Sequence, residues 1–423
     1  MTWDIHTEEF VAWAKAYEGP RFHAVLCDPP YGLRFMGKDW DRVSAKEWGE
    51  AMMPLLYPGA IVFMFGGTRT WHKLATGMEE AGFEIWDTLM WLHGQGFPKA
   101  QDVSKLIDKE GGFNRNIAKH RRADREGYRI ETQGTPSLPP TETSSPWQGH
   151  KTAALKPAWE PILCFRAPRQ GKSYAELAME YGSGALNVDG ARVGYQSETD
   201  KSSATPQGEC TNRSGRLAGK AQGGGERTKF ERPEQKGRYP ANLVLDEESA
   251  EMLDEQRPFT SQTGNRKVKH RVQQETMSTP FSRGQDAPEY TDSGGPSRFF
   301  YCAKASRSER EAGLEGFDGE QRDLSRRPDQ KAMNDGEGNP YNRGVVKVRN
   351  NHPTVKPITL IKWLATLLLP PDSVKPRRLL VPFAGVASEM IGAMQAGWDE
   401  VVGVEQDSGY SKIARCRLEH WEC

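Results

Sequence analysis

Ala24-Val25-Leu26-Cys27-Asp28-Pro29-Pro30-Tyr31-Gly32 carries a short apolar run straight into a loop that two prolines stiffen. Four consecutive apolar residues read as a buried parallel strand, and the loop at the C-terminal end of such a strand is where open α/β sheets hold their ligands. Ile61-Val62-Phe63-Met64-Phe65 is a second run of this kind, ending at Gly66-Gly67. Between Thr68 and Gly82 the apolar residues Trp71, Leu74, Ala75 and Met78 recur at helical spacing, and Gly82 stops the helix before the strand-like Phe83-Glu84-Ile85-Trp86. The pattern is that of an α/β fold.

The C-terminal segment repeats it. A helix is expected from about Ile358 to Leu369, stopped by Pro370-Pro371, followed by strand Leu379-Leu380-Val381, a Gly-containing loop, a helix to about Ala396, strand Val401-Val402-Gly403-Val404 and a final helix. The two ends of the chain therefore read as halves of one sheet. Between them, residues 111–160, 195–240, 256–297 and 315–350 are rich in Gly, Ser, Pro, Gln and charge, so irregular and partly disordered segments are expected. Ordered islands interrupt them at Pro161–Phe165, Leu186-Asn187-Val188, Asn242–Leu245 and Arg298–Tyr301; these either extend the sheet or build a separate module. At 423 residues the chain exceeds the roughly 100–200 of one domain. The expected organisation is a core half over 1–100, an insert over 101–345 and a second core half over 346–423.

Composition excludes several classes. The six cysteines, Cys27, Cys164, Cys210, Cys302, Cys416 and Cys423, lack the close pairing of a zinc site or a disulfide framework, so reduced thiols and no metal are expected. MTWDIHTEEF has charges where a signal peptide needs its apolar stretch, and no run approaches the ~20 apolar residues of a membrane span. A cytoplasmic protein with no membrane partner is the expectation. Net charge is zero, from 57 basic and 57 acidic residues, which argues weakly against a nucleic-acid partner. The distribution says more. Arg343, Lys347, Arg349, Lys356, Lys362, Lys375, Arg377 and Arg378 face one acid, Asp372, over that span, which reads either as a phosphate-facing stripe or as a solvated basic surface.

Three short motifs carry the chemistry. In the first, Asp28 and the Pro29 carbonyl offer acceptors for both hydrogens of a neutral amine on a planar base, and Tyr31 offers a ring to stack on it. Taken alone, Asp28-Pro29-Pro30-Tyr31 also reads as a rigid turn with a packed aromatic. The second motif is Val381-Pro382-Phe383-Ala384-Gly385-Val386-Ala387-Ser388-Glu389, which joins a strand to a helix, with Glu405 ending the next strand; a tight Gly loop and a distal acid are how a sheet holds a nucleoside. Alone, it reads sooner as an ordinary βα turn. The third, His352-Pro353-Thr354-Val355-Lys356-Pro357, opens the helix before that loop, and its Thr354 and Lys356 suit a carboxylate such as an amino-acid tail; alone, it reads as a capped helix start with a solvated lysine.

In this order and spacing the three resemble the beta-group amino DNA methyltransferases, and more narrowly the site-specific DNA methylases of phages and bacteria. The likeness spans roughly residues 1–100 and 350–423. It implies a Rossmann-like S-adenosylmethionine-dependent methyltransferase fold with permuted motif order and a large irregular insert. It implies S-adenosyl-L-methionine as cofactor, double-stranded DNA as partner, and a monomer or homodimer within a restriction-modification setting. Asp28, Pro29, Pro30 and Tyr31 would form the catalytic pocket; Pro382, Phe383, Ala384 and Gly385 would lie along the cofactor, Glu405 on its ribose, and Thr354 and Lys356 at its methionine end. Asp4 or His6 would contact its adenine. The family commonly has Asp before Pro-Phe, where this sequence has Val381.

The implied reaction is methylation of the adenine N6 amine, because Asp at the first catalytic position is commoner with adenine and Ser with cytosine. N4-cytosine methylation and a non-catalytic DNA-binding homologue are the alternatives; an RNA or protein amide methyltransferase is disfavoured by the motif order. Cytosine C5 chemistry needs a thiol nucleophile that follows a proline in that family, and no cysteine here does. The target base would have to leave the duplex stack, with Phe35, Met36 and Trp40 as candidates to support it or fill the gap.

Overall fold

The computed structural model describes residues 1–32, 43–94, 96, 100–113, 115, 139–204, 235–256, 295–304, 307–317, 320–322, 346–352 and 354–422. Phe35, Met36 and Trp40, Arg343 of the basic stripe, and most of the segments expected to be irregular lie outside these residues.

The strands are β1 (Thr2–His6), β2 (Phe22–Cys27), β3 (Leu56–Phe65), β4 (Glu84–Leu92), β5 (Trp159–Arg166), β6 (Leu243–Asp246), β7 (Tyr301–Ala303), β8 (Glu320–Arg322), β9 (Val346–Val348), β10 (Arg378–Pro382) and β11 (Glu400–Val404). The helices are α1 (Phe10–Ala16), α2 (Ala45–Met52), α3 (Trp71–Glu80), α4 (Val103–Glu110), α5 (Tyr174–Tyr181), α6 (Glu198–Ala204), α7 (Glu247–Gln256), α8 (Arg307–Glu311), α9 (Ile358–Leu368), α10 (Ser388–Ala396) and α11 (Ser408–Trp421). Among the described residues nine strands form one sheet in the order β1-β11-β10-β2-β3-β5-β4-β6-β7, and β8 pairs with β9. The chain's two ends do meet: Leu379 of β10 lies beside Ala24 of β2, and Leu380 beside Val25, in parallel register.

Alternation along the strands divides the core into two layers. Ala24 and Leu26 of β2 point with Leu379, Val381 and Val401 toward α9, α10 and α11. Val25 and Cys27 point with Leu380 and Val402 toward α1, α2 and α3. Because both faces are covered, every residue of β2 is buried, and each large apolar side chain fully buried contributes about 1.5–3 kcal/mol. This is the doubly wound α/β sheet that the apolar runs at both chain ends imply.

The middle of the chain extends that sheet. Pro161–Phe165 lies within β5, Leu243–Leu245 within β6 and Tyr301 within β7. Leu186-Asn187-Val188 forms no strand; the Asn187 N–H instead donates to the Leu367 carbonyl at the end of α9. β5 runs antiparallel to both neighbours, β3 and β4. By compactness the chain divides into a unit of residues 1–93 and 159–423 and a smaller one of residues 94–158. In the smaller unit Asp102 caps α4, and the buried Asp108 carboxylate takes the Arg115 guanidinium and the Thr141 hydroxyl.

The basic stripe is corrected by the fold. Lys356, Arg377 and Arg378 are buried; Arg377 pairs with Asp372 and Asp399, Arg378 with Glu400, and Lys375 with Asp399. Asp372 within the stripe, and Asp28, Asp399 and Glu400 outside it, neutralise these four cations, so they are not a phosphate-facing row. No helix among the described residues is long and apolar enough to cross a membrane.

Candidate active site

Asp28 stands at the C-terminal end of β2, between the ends of β10 and β3, where the sheet stops and its carboxylate is released from the core. Both of its oxygens are engaged. Oδ1 accepts from the Tyr31 hydroxyl at 2.7 Å and Oδ2 from Lys356 Nζ at 2.6 Å. Lys356 Nζ also lies 3.2 Å from the Tyr31 hydroxyl oxygen and 3.4 Å from Glu160 Oε2, and sits 4.8 Å from the centroid of the Phe65 ring. Burial by itself would lower the Lys356 pKa, but the Asp28 and Glu160 carboxylates outweigh it and hold the ammonium above its ordinary value. Burial, then Asp28 and Glu160, push the Tyr31 phenol well up, so it remains a hydrogen-bond donor.

The second loop follows β10. Phe383, Gly385 and Ala387 all have left-handed backbones, at φ 58°, 52° and 66°, a conformation costing an L side chain roughly 1–2 kcal/mol per residue. Local bonds hold it there. The Ala384 N–H donates to the Val404 carbonyl at 2.8 Å, and the Gly385 N–H to Glu405 Oε2 at 2.8 Å. Glu405 Oε1 accepts from the Asp407 N–H at 2.7 Å, while the Asp407 side chain caps α11. Buried Arg417 of α11 donates to the Val386 carbonyl and, at 3.3 Å, to Ser388 Oγ. Burial raises the Glu405 pKa to about 7. Burial and then the Asp28 charge raise that of Glu389, on the first turn of α10, to about 7 as well.

Aromatic rings wall this loop. Phe383 lies 4.8 Å from Trp48 and 5.4 Å from Phe10, centroid to centroid. His352 packs edge-on to Tyr410 at 4.6 Å, and its Nδ1 donates to the Thr354 carbonyl at 2.6 Å. Burial lowers the His352 pKa to about 4, so the ring is neutral and Nε2 is left as an acceptor. A Cβ on Gly385 would stand 3.1 Å from that Nε2, so the backbone here leaves a groove that any side chain would begin to fill.

One cavity of 820 Å³ joins the two loops. Asp28, Pro29, Pro30 and Tyr31 line it on one side; Phe383, Ala384, Gly385 and Glu405 line it on the other, with Thr354 and Lys356 between. Three candidates stay out of the lining. Pro382 is buried as the last residue of β10, and Asp4 and His6 pair with each other at 3.2 Å on β1. β1 serves the site through its backbone instead, since the His6 carbonyl accepts from the Glu405 N–H at 2.9 Å. Lys356 points to Asp28 rather than to the Gly385 loop. Val381 packs into the core opposite Gly403, and the carboxylates at this loop are Glu389 and Glu405.

Sequence reading missed Glu160, Glu389, Trp48 and His352 as members of the site. Glu389 and His352 lie inside motifs already singled out, and their burial was the missing signal. Glu160 and Trp48 have no local mark at all.

The site thus pairs a carboxylate, a phenol and an ammonium with a constrained Gly loop and a buried acid, in one volume large enough for a nucleoside-sized ligand and a base. No family model matches the chain. Over 228 residues it is 25% identical to the Type II methyltransferase M.HindIII of Haemophilus influenzae, covering 43% of this chain and 64% of that protein, so the match spans just under two thirds of the relative's length. Among solved structures, M1.HpyAVI aligns with a TM-score of 0.38 at 11% identity over 99% of this chain and 98% of that one. The PvuII DNA methyltransferase, described as cytosine-N4-specific, aligns at 0.41 and 10% identity over 99% and 86%. In sequence and in the order of its motifs, the chain is similar to the beta group of amino DNA methyltransferases.

Proposed function

We propose that the protein is a site-specific DNA methyltransferase that transfers a methyl group from S-adenosyl-L-methionine to the N6 amine of an adenine flipped out of double-stranded DNA. The observation that carries this reading is that one cavity is lined both by the Asp28–Tyr31 loop and by Gly385 and Glu405. The likeness to a Type II methyltransferase supports it.

The residues present fit the cofactor. Gly385, with no Cβ, lets a ligand approach the backbone beside His352, and Glu405 offers a carboxylate to ribose hydroxyls. Phe383 and Trp48 offer apolar surface for a flat ring. The cofactor, when bound, supplies a methyl group already activated as a sulfonium. What remains for the protein is alignment and a site that tolerates positive charge growing on the amine nitrogen. Asp28 and the Pro29 carbonyl accept the two amine hydrogens, turning the lone pair toward the cofactor side of the cavity, and Tyr31 supports the base. No covalent intermediate on the enzyme is needed. Burial and the adjacent Asp28 hold the Cys27 thiol far above its ordinary pKa, which keeps it inert.

Adenine is preferred over cytosine because Asp28, not Ser, opens the catalytic motif; N4-cytosine methylation is the second reading, since the same acceptors serve either amine. The test is transfer of labelled methyl from S-adenosylmethionine to unmethylated DNA, comparing wild type with Asp28→Ala and identifying the nucleoside by mass spectrometry. N6-methyladenine lost in Asp28→Ala is the expected result. N4-methylcytosine would overturn the base assignment, and cofactor binding without any DNA product would overturn the substrate.

A further inference from the structure

Glu160 sits at the start of β5, far in sequence from every motif of the site. β5 is antiparallel to β3, so its first residues arrive at the sheet edge where β2 and β3 end. The Gly66 N–H donates to the Pro161 carbonyl at 2.9 Å and fixes that arrival. Glu160 Oε2 is thereby held 3.3 Å from the Tyr31 hydroxyl and 3.4 Å from Lys356 Nζ. Its side chain is 28% exposed, against 5% for Lys356.

The site as it stands poses a difficulty for the reaction proposed above. An amine seated on Asp28 must share the carboxylate with Tyr31 and Lys356, each of which already bonds one of its oxygens. A carboxylate neutralised by an ammonium also does little for positive charge growing on the substrate nitrogen. Three carboxylates, Asp28, Glu160 and Glu389, act on Lys356, but of these only Asp28 and Glu160 are within ion-pair distance. A shift of Nζ by about 0.6 Å would bring it to an ordinary charge-assisted distance, about 2.8 Å, from Glu160.

We propose that Glu160 is a positioning residue that draws the Lys356 ammonium and the Tyr31 hydroxyl toward itself when the target amine is seated, loosening their hold on Asp28 and leaving it more of its charge as an acceptor. The inference rests on the methyltransferase reading. Glu160 touches neither substrate nor cofactor in this role; it acts through Lys356 and Tyr31.

The test is a double-mutant cycle of Glu160→Gln and Lys356→Gln, read as single-turnover methyl transfer on unmethylated DNA, with cofactor affinity measured directly. Gln at 160 keeps the shape and loses the charge. Transfer by Glu160→Gln is expected to slow about 10-fold or more with cofactor Kd within about two-fold, Glu160→Asp to recover part of the rate, and Glu160→Gln to cost nothing further once Lys356 is Gln. Wild-type transfer by Glu160→Gln, or the same loss with and without Lys356, would overturn the proposal while leaving the methyltransferase reading intact. If Lys356→Gln does not fold, the rate at which a small acylating reagent modifies Lys356 decides. Glu160→Gln is expected to raise that rate several-fold as the ammonium loses a counter-charge, and an unchanged rate would overturn the proposal. That readout needs no DNA, so it also decides the Lys356–Glu160 contact should the wild type prove inactive and the functional reading fall.

Discussion

Lys356 Nζ lies 2.6 Å from Asp28 Oδ2 across 328 residues of sequence, an ion pair that forms only because β10 docks beside β2 and brings the chain's two ends to one edge of the sheet. Both partners are largely buried, and removing one partner of such a pair costs about 3–5 kcal/mol when the other is left uncompensated. The two removals are not equivalent here. Without Asp28, Lys356 still has Glu160; without Lys356, Asp28, Glu160 and Glu389 lose their shared cation. Urea unfolding is therefore expected to show Lys356→Met more destabilised than Asp28→Asn, with the double variant less destabilised than the sum. A larger loss in Asp28→Asn would mean that Glu160 does not share the ammonium.

Gly385 is the position at which a methyl group tests the cofactor reading. Gly385→Ala combines a left-handed backbone with a Cβ 3.1 Å from His352 Nε2, so a stability loss of about 1–2 kcal/mol is expected, together with at least a 10-fold weaker S-adenosylmethionine Kd. Gly397→Ala is the control. Its φ is +98° with open space around the added Cβ, so it carries a backbone penalty at the end of α10 and should leave the Kd unchanged. Equal cofactor affinity in both variants would place the ligand elsewhere.

Glu405 and Glu389 give the site a pH dependence of defined sign. Burial raises both carboxyls to about 7, so without ligand the folded state holds extra protons between about pH 4.3 and 7, and their contribution to stability falls as pH rises through that window. His352, lowered to about 4, contributes the opposite slope between about 4 and 6.5. Ligand binding runs against protonation of Glu405. If ribose hydroxyls donate to ionised Glu405, S-adenosylmethionine affinity by calorimetry should rise up to pH 7 and level off above it. Glu405→Gln should flatten that rise, whereas Glu389→Gln should retain it. An affinity independent of pH in the wild type would remove Glu405 from the cofactor.

What was legible in the sequence follows from how locally each feature is encoded. β2, β3, β10 and β11 are buried on both faces over most of their length, so each carries a continuous apolar run, and the loops after β2 and β10 carry their own Pro and Gly marks. β5 is as apolar as these, yet nothing in Pro161–Phe165 says that it runs antiparallel, and that direction alone delivers Glu160 to Asp28. Leu186-Asn187-Val188 resembles a strand but closes a turn against α9. The basic stripe fails for the same reason as Glu160: a count of charges along the chain cannot see that Asp399 and Glu400 lie against Arg377 and Arg378. Local pattern specified the strands, and long-range pairing decided which charges remain free.

Asp200 extends this lesson to the middle of the chain. Its buried carboxylate takes a bidentate pair of bonds from Arg238 and a contact of 3.0 Å from Arg298, so three segments distant in sequence converge on one side chain. Arg238 in turn lies 4.8 Å over the Phe299 ring. Asp200→Ala deprives two largely buried guanidiniums of the carboxylate they share, a loss of about 3–5 kcal/mol by the usual cost of breaking a buried pair. The α1–α3 and α9–α11 layers do not pass through Asp200, so the loss is expected to be local: limited proteolysis should cut near residues 195–204, 235–240 and 295–300 sooner in Asp200→Ala, while the bonds within β2 and β10 stay protected. S-adenosylmethionine should still bind, because the cavity lining draws nothing from these segments. Simultaneous loss of protection at β2 and β10 would instead make Asp200 part of the global core.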